Sequence, residues 1–266
     1  HSLERGTGMG RLKMAMRGAT AAAAAFVCAA AMAAGGPPDF TGVWTNATPA
    51  TGGTAMPNTG ALPLTEYGRA RVEAYRKLTD GTDDSPGRWC VGTGMPGSML
   101  GSGAYPMEII QRPEQITIIY EAHTEVRRVY IGDRNAPPED RIPGRNGYSS
   151  GRWEGDVLVV ETDNLVDQVD QRSTPHSEEA KIIERYSLDG TDAQGRRILK
   201  AEMTMIDPKF YTQPVVMTKR WAEVPNGRLL PYECPEEMWL DRIAEIAKER
   251  GVPNPFDPDS VKVAKD

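Results

Sequence analysis

Histidine is scarce in this chain. Only three occur, and because His1 opens a leading segment, His123 and His176 are the only imidazoles left for proton transfer near neutrality. Cysteine is as scarce: Cys28, Cys90 and Cys234 show no CxxC and no Cys/His spacing of a zinc site, so no metal is expected. Asp163, Asp167 and Asp170 lack the glycine and terminal glutamate of a calcium loop. No G-x-S-x-G elbow is present, and Ser149-Ser150 has no identifiable base beside it. Phosphate-cradling and dinucleotide glycine patterns are missing too, since Gly92-x-Gly94 has no strand–turn–helix context. These absences argue against NAD, FAD and ATP, and leave a cofactor-independent protein as the expectation. Nor is there a Lys/Arg cluster. The formal charge is −6, and without residues 1–33 it becomes 27 basic against 36 acidic residues, or −9. Such a chain repels phosphate backbones, so no nucleic-acid partner is expected.

The N-terminal segment accounts for much of the basic charge. Residues 1–10, HSLERGTGMG, resemble an expression tag, and residues 11–33 read as a signal peptide. Lys13 and Arg17 form its basic region, Ala19 to Ala30 its apolar run, and Ala31-Met32-Ala33 its cleavage site. The run is too short and alanine-rich to span a bilayer, so a periplasmic or secreted protein without stable membrane insertion is expected. Val27 is not the small residue that a lipidated Cys28 would need before it. In an oxidising compartment the remaining Cys90 and Cys234 suggest one long-range disulfide, the alternative being two separate thiols.

The rest divides into three parts. Residues 34–106 hold a strand (DFTGVW), a helix (PLTEYGRARVEAYRKL) with Thr65 as its N-cap, and a long loop pinned by Cys90. Residues 107–235 carry seven β-type runs: MEIIQ, ITIIYEA, EVRRVYI, DVLVVET, AKIIERYSL, RILKAEMTMI and PVVMTKRW. Residues 236–266 give an amphipathic helix, with Met238, Ile243, Ile246 and Ala247 spaced to dock, and an extended tail. Short turns between the runs favour antiparallel pairing. With the Trp44 strand, the pattern predicts a mostly β, antiparallel barrel of about eight strands, with one N-terminal and one C-terminal helix. A barrel of that size can hold one small ligand. A β-sandwich is the alternative. Self-association into a homo-oligomer is compatible with the sequence but not specified by it.

Alternation along two runs puts charge inside. In AKIIERYSL, Ile182, Glu184 and Tyr186 share one face, and Ile183 and Arg185 the other. In EVRRVYI, Glu125, Arg127 and Val129 oppose Val126, Arg128 and Tyr130. Whichever faces turn inward, a buried charge needs an opposite partner, so Glu184 is expected to pair with Arg128 or Arg127. His176 follows Pro175 and enters the Glu184 strand. His123 is expected at the barrel mouth, and Tyr120, Tyr130 and Tyr186 among the groups facing a ligand. Trp153, in GRWEGDVLVVET, reads mainly as hairpin and core packing, with ligand contact as its second role.

Several segments together are similar to a known group. DFTGVW, PLTEYGRAR, YPMEIIQRPEQITIIYE, RRVYI, GRWEGDVLVVET, PHSEEAKIIERY and DPKFYTQP resemble a family of exported, largely uncharacterised bacterial proteins with lipocalin-like (calycin-type) barrels. The resemblance implies the fold more than the chemistry. Family members commonly carry a His-Pro step after the strand with paired arginines, where this chain has Asn135-Ala136-Pro137-Pro138. The residues themselves suggest a lyase-, isomerase- or cyclase-type acid–base enzyme acting on a hydrophobic, aromatic small molecule. In that reading His176 shuttles the proton, Glu184 orients it or acts as base, and Arg128 steadies oxyanion charge. The alternative is a non-catalytic carrier of the same kind of ligand. Convergence of His176, Glu184 and an arginine on one pocket floor is what the enzyme reading requires.

Overall fold

A computed structural model describes residues 36–47, 62–82, 85–101, 105–169 and 175–257. The segments read above as a tag and a signal peptide, Cys28 among them, and Asp170 lie outside the described residues. The strands are β1 (Gly42–Asn46), β2 (Met107–Arg112), β3 (Gln115–Tyr120), β4 (Glu125–Ile131), β5 (Tyr148–Glu154) and β6 (Val157–Asp163). A two-residue pair, β7 (Gln168–Val169) and β8 (Pro175–His176), precedes β9 (Lys181–Thr191), β10 (Arg197–Ile206) and β11 (Val215–Glu223). Nine of these close a barrel in the order β1-β11-β10-β9-β6-β5-β4-β3-β2, while β7 and β8 pair apart from it.

Two features of the expected barrel need correction, and one cause explains both. The ring has nine strands rather than about eight, and it is mixed rather than antiparallel, because β4 and β5 run parallel. Antiparallel neighbours alternate in direction, and alternation cannot close on itself round an odd ring. One parallel joint is therefore compulsory. The added strand is β5, YSSGRWE, whose serines and glycine mask its strand character. Gly151 is needed there, since a Cβ at that position would meet Val129 Cγ1 at 2.7 Å. The joint is short, with Val129, Tyr130 and Ile131 registered on Ser149, Ser150 and Gly151. Residues 132–147 supply the crossover of about a dozen residues or more that parallel pairing demands.

Period-two alternation fills the interior. Trp44, Ile109, Ile118, Val160, Ile182, Leu199 and Met203 are buried there, with Tyr120 and Tyr186. Helix α1 (Glu66–Thr79) starts where its cap places it, the Thr65 hydroxyl accepting from Gly68 N at 3.0 Å. The short helix α2 (Gly97–Gly101) and the residues before it bring Met95, Met99 and Leu100 into the same core. Glu125 holds that segment, accepting from Thr93 N at 3.1 Å, Gly94 N at 3.0 Å and the Ser98 hydroxyl. Helix α3 (Cys234–Arg250) buries only Ala247. Met238, Ile243 and Ile246 are half-buried, so the expected docking face makes a light contact.

Cys90 and Cys234 form a disulfide across 144 residues, joining the loop before α2 to the start of α3. Closing so long a loop stabilises by about 4–5 kcal/mol in the chain-entropy account. Among the described residues no helix is long and apolar enough to cross a membrane.

Candidate functional site

The face of β4 that turns inward is the one carrying Arg127, which is 2% exposed, and it meets Glu184 of β9, which is 0% exposed. The guanidinium grips the carboxylate with two donors, Nη1 giving to Oε1 at 3.0 Å and Nη2 to Oε2. Its Nε donates to Ser149 Oγ at 3.0 Å, and Nη2 also to Thr162 Oγ1 at 2.8 Å. Tyr186 donates its hydroxyl to Glu184 Oε1 at 2.7 Å. Burial alone would weaken the Arg127 charge, but the Glu184 carboxylate against it holds its pKa well above the ordinary value. Burial, reinforced by Glu184, pushes the Tyr186 phenol far up. Tyr120 is pushed up to about 12 by burial, with Arg127 pulling the other way, and its hydroxyl has no hydrogen-bond partner among the described residues. The network is a buried ion pair with each charge answered by fixed partners.

The structure does not bring His176 to this pair. His176 sits on β8, outside the ring, and is 0% exposed. Its Nδ1 lies 3.3 Å from the Ser177 carbonyl, and its Nε2 makes no hydrogen bond of good geometry with a described residue. Burial lowers its pKa. Ser177 is anchored instead to Asp207, through its N–H at 2.6 Å and its hydroxyl at 3.1 Å. Arg128, expected to steady charge inside, points outward and is exposed, because the one-residue step from Arg127 reverses the face. Nor does His123 share a site with His176. It occupies the β3–β4 turn with φ of 59°, followed by Thr124 at 49°, and its ring lies on Tyr232 at 4.9 Å. Burial lowers the His123 pKa, opposed by Glu125. Trp153 packs on Phe40 at 5.3 Å between ring centroids, which is its core role.

Arg128 and Tyr130 come together outside the barrel, in a place the sequence did not indicate. Where the short parallel joint leaves the start of β4 without a ladder to β5, a cleft of about 480 Å³ opens. Val126, Arg128 and Tyr130 line it from β4, Arg134, Ile142 and Asn146 from the crossover, and Tyr148 from the start of β5. Tyr130 and Tyr148 stack at 5.2 Å with an interplanar angle of 27°, and the Arg141 guanidinium covers Tyr148 at 4.5 Å. Arg141 is itself occupied by Asp163 at 3.1 Å, and the Tyr148 hydroxyl by the Ala136 N–H at 2.5 Å. The aromatic wall is therefore braced before any ligand arrives. The buried Asn146 Oδ1 has no partner among the described residues. Arg134, Asn146 and Tyr148 were missed by sequence reasoning because they fall in or beside a segment without periodicity. The unusual length of residues 132–147 was the one available signal.

No protein-family model matches the sequence, and no curated protein does.

Proposed function

We propose that the protein is an exported, non-catalytic carrier that binds a small aromatic molecule in the cleft beside the β4–β5 joint. The observation that carries this reading is the braced Tyr130–Tyr148 stack, set beside unpaired polar groups in a cleft of ligand size. Support also comes from the interior. Glu184, one of the expected acid–base groups, is engaged by Arg127, and His176, the expected proton shuttle, hydrogen-bonds to neither. The likeness to lipocalin-type exported proteins agrees in kind, although here the proposed site lies in the barrel wall rather than at its centre. The acid–base reading keeps one foothold in Tyr120, whose unpartnered phenol is buried beside Arg127.

The test is titration of the full chain and of Tyr130→Ala with a panel of naphthalene derivatives, followed by mass analysis of the recovered compound. Saturable binding, weakened about tenfold or more in the variant, is expected from loss of an aromatic contact. The compound should be recovered unchanged. Equal binding by the variant would move the site elsewhere. A chemically altered compound would favour the enzyme, and loss of that turnover in Tyr120→Phe would assign it to the interior.

A further inference from the structure

We infer that the ligand of the β4–β5 cleft is an aromatic monoanion of the carboxylate class. The inference rests on the binding reading above and adds the chemistry of the ligand's polar end. Four ionisable side chains of fixed charge line the cleft: Arg127, Arg128, Arg134 and Asp140. Arg127 is neutralised from within by Glu184. The other three form no ion pair with any described residue, so two cations face one anion and a single positive charge is left over. One negative charge on a ligand balances it, and a doubly charged group would overshoot.

The geometry agrees with the count. Arg128 makes no hydrogen bond with a described residue, and Arg134 uses only its Nε, on Gln115 Oε1 at 3.2 Å. Both therefore keep the outer edge of the guanidinium for a planar two-oxygen acceptor, the geometry that a carboxylate offers. The apolar part of such a molecule has its own surfaces in Val126, Ile142 and the exposed side of the tyrosine stack. Ile142 is 84% exposed and Val126 38%, so covering them removes apolar area from water. The setting matters as well. In a chain carrying −9 beyond its leader, two unpaired arginines in one cleft attract an anion against the field of the whole molecule. That makes selection local to the cleft.

Fluorescence titration of the full chain with 1-naphthoate, 1-naphthamide and 1-naphthyl phosphate tests this. The carboxylate should bind about tenfold or more tighter than the neutral amide, the size of one charge-assisted hydrogen bond, and tighter than the phosphate. Arg128→Gln and Arg134→Gln should each remove most of the difference between carboxylate and amide while leaving amide binding in place. Arg185→Gln, on the outer face of β9, should leave it intact. Equal affinity for carboxylate and amide, with both lost in Tyr130→Ala, would overturn the anion and keep the aromatic site. Tighter binding of the phosphate would overturn the monoanion. Binding of none of the three would remove the aromatic site, and this inference with it.

Discussion

Arg127 and Arg128 are neighbours in the chain and opposites in the fold. One lies inside the barrel with its donors on Glu184, Ser149 and Thr162, and the other lies in an outer cleft with no described partner. The same pairing recurs among the tyrosines: Tyr186 is bonded to Glu184 inside, while Tyr130 stacks on Tyr148 outside. The difference teaches that a charged or aromatic side chain is not a functional signal by its type. What matters is whether the fold has already supplied its partner. Inside, a charge that is kept must find a partner, because burying it alone is costly. Outside, an arginine without a partner remains able to take one from solution.

That contrast can be broken from the inside. Glu184→Leu leaves Arg127 as a buried charge without its counter-ion, and a loss of about 3–5 kcal/mol is expected in urea unfolding. Arg127→Met added to Glu184→Leu should recover most of it, because removing both charges removes the need for either. If the double variant is as unstable as the single, the network contributes through something other than charge balance.

His176 sharpens the same point through pH. Burial lowers its pKa below the ordinary 6.5, so the unfolded chain binds a proton that the folded one resists. Its contribution to stability is full above pH 6.5 and is lost as the pH falls through that value toward the folded pKa. The melting temperature should therefore drop on acidification below about 6.5, and His176→Gln should flatten part of that slope. His123, shifted in the same direction, should supply a further part. An unchanged slope in the variant would mean that His176 is not the buried base that its surroundings imply. The smallest effect belongs to the outer arginine: Arg128→Gln should alter stability by no more than about 0.5 kcal/mol, as expected of an exposed site. A larger loss would show that Arg128 has a structural partner after all.

Much of this was legible in the sequence, and the failures have physical causes. The seven runs from Met107 to Trp221 lie on strands β2, β3, β4, β6, β9, β10 and β11, because period-two alternation survives in each. The disulfide was expected from the two cysteines left after the N-terminal segment, on the reading that the chain is exported, and it is present. The Glu184–arginine pair followed from the cost of burying a lone charge. Which arginine it would be did not follow, since both faces of EVRRVYI carry one arginine with a valine, and alternation gives parity without direction. Strand β5 was hidden by its serines and glycine, and with it went the odd count, the parallel joint and the cleft. The placing of His176 was missed for a different reason. Nothing local tells a strand that joins the ring from a two-residue pair that lies apart from it.

The crossover has one more consequence, for what happens when the chain is cut. Its turn at Pro138–Asp140 is exposed and lies between β4 and β5. A protease nick there would give an N-terminal fragment ending after β4 and a C-terminal one beginning before β5. These pieces still share two ladders, β1 on β11 and β4 on β5, and Cys90 of the first remains bonded to Cys234 of the second. Nicked protein should travel as one band on a non-reducing denaturing gel and as two after dithiothreitol.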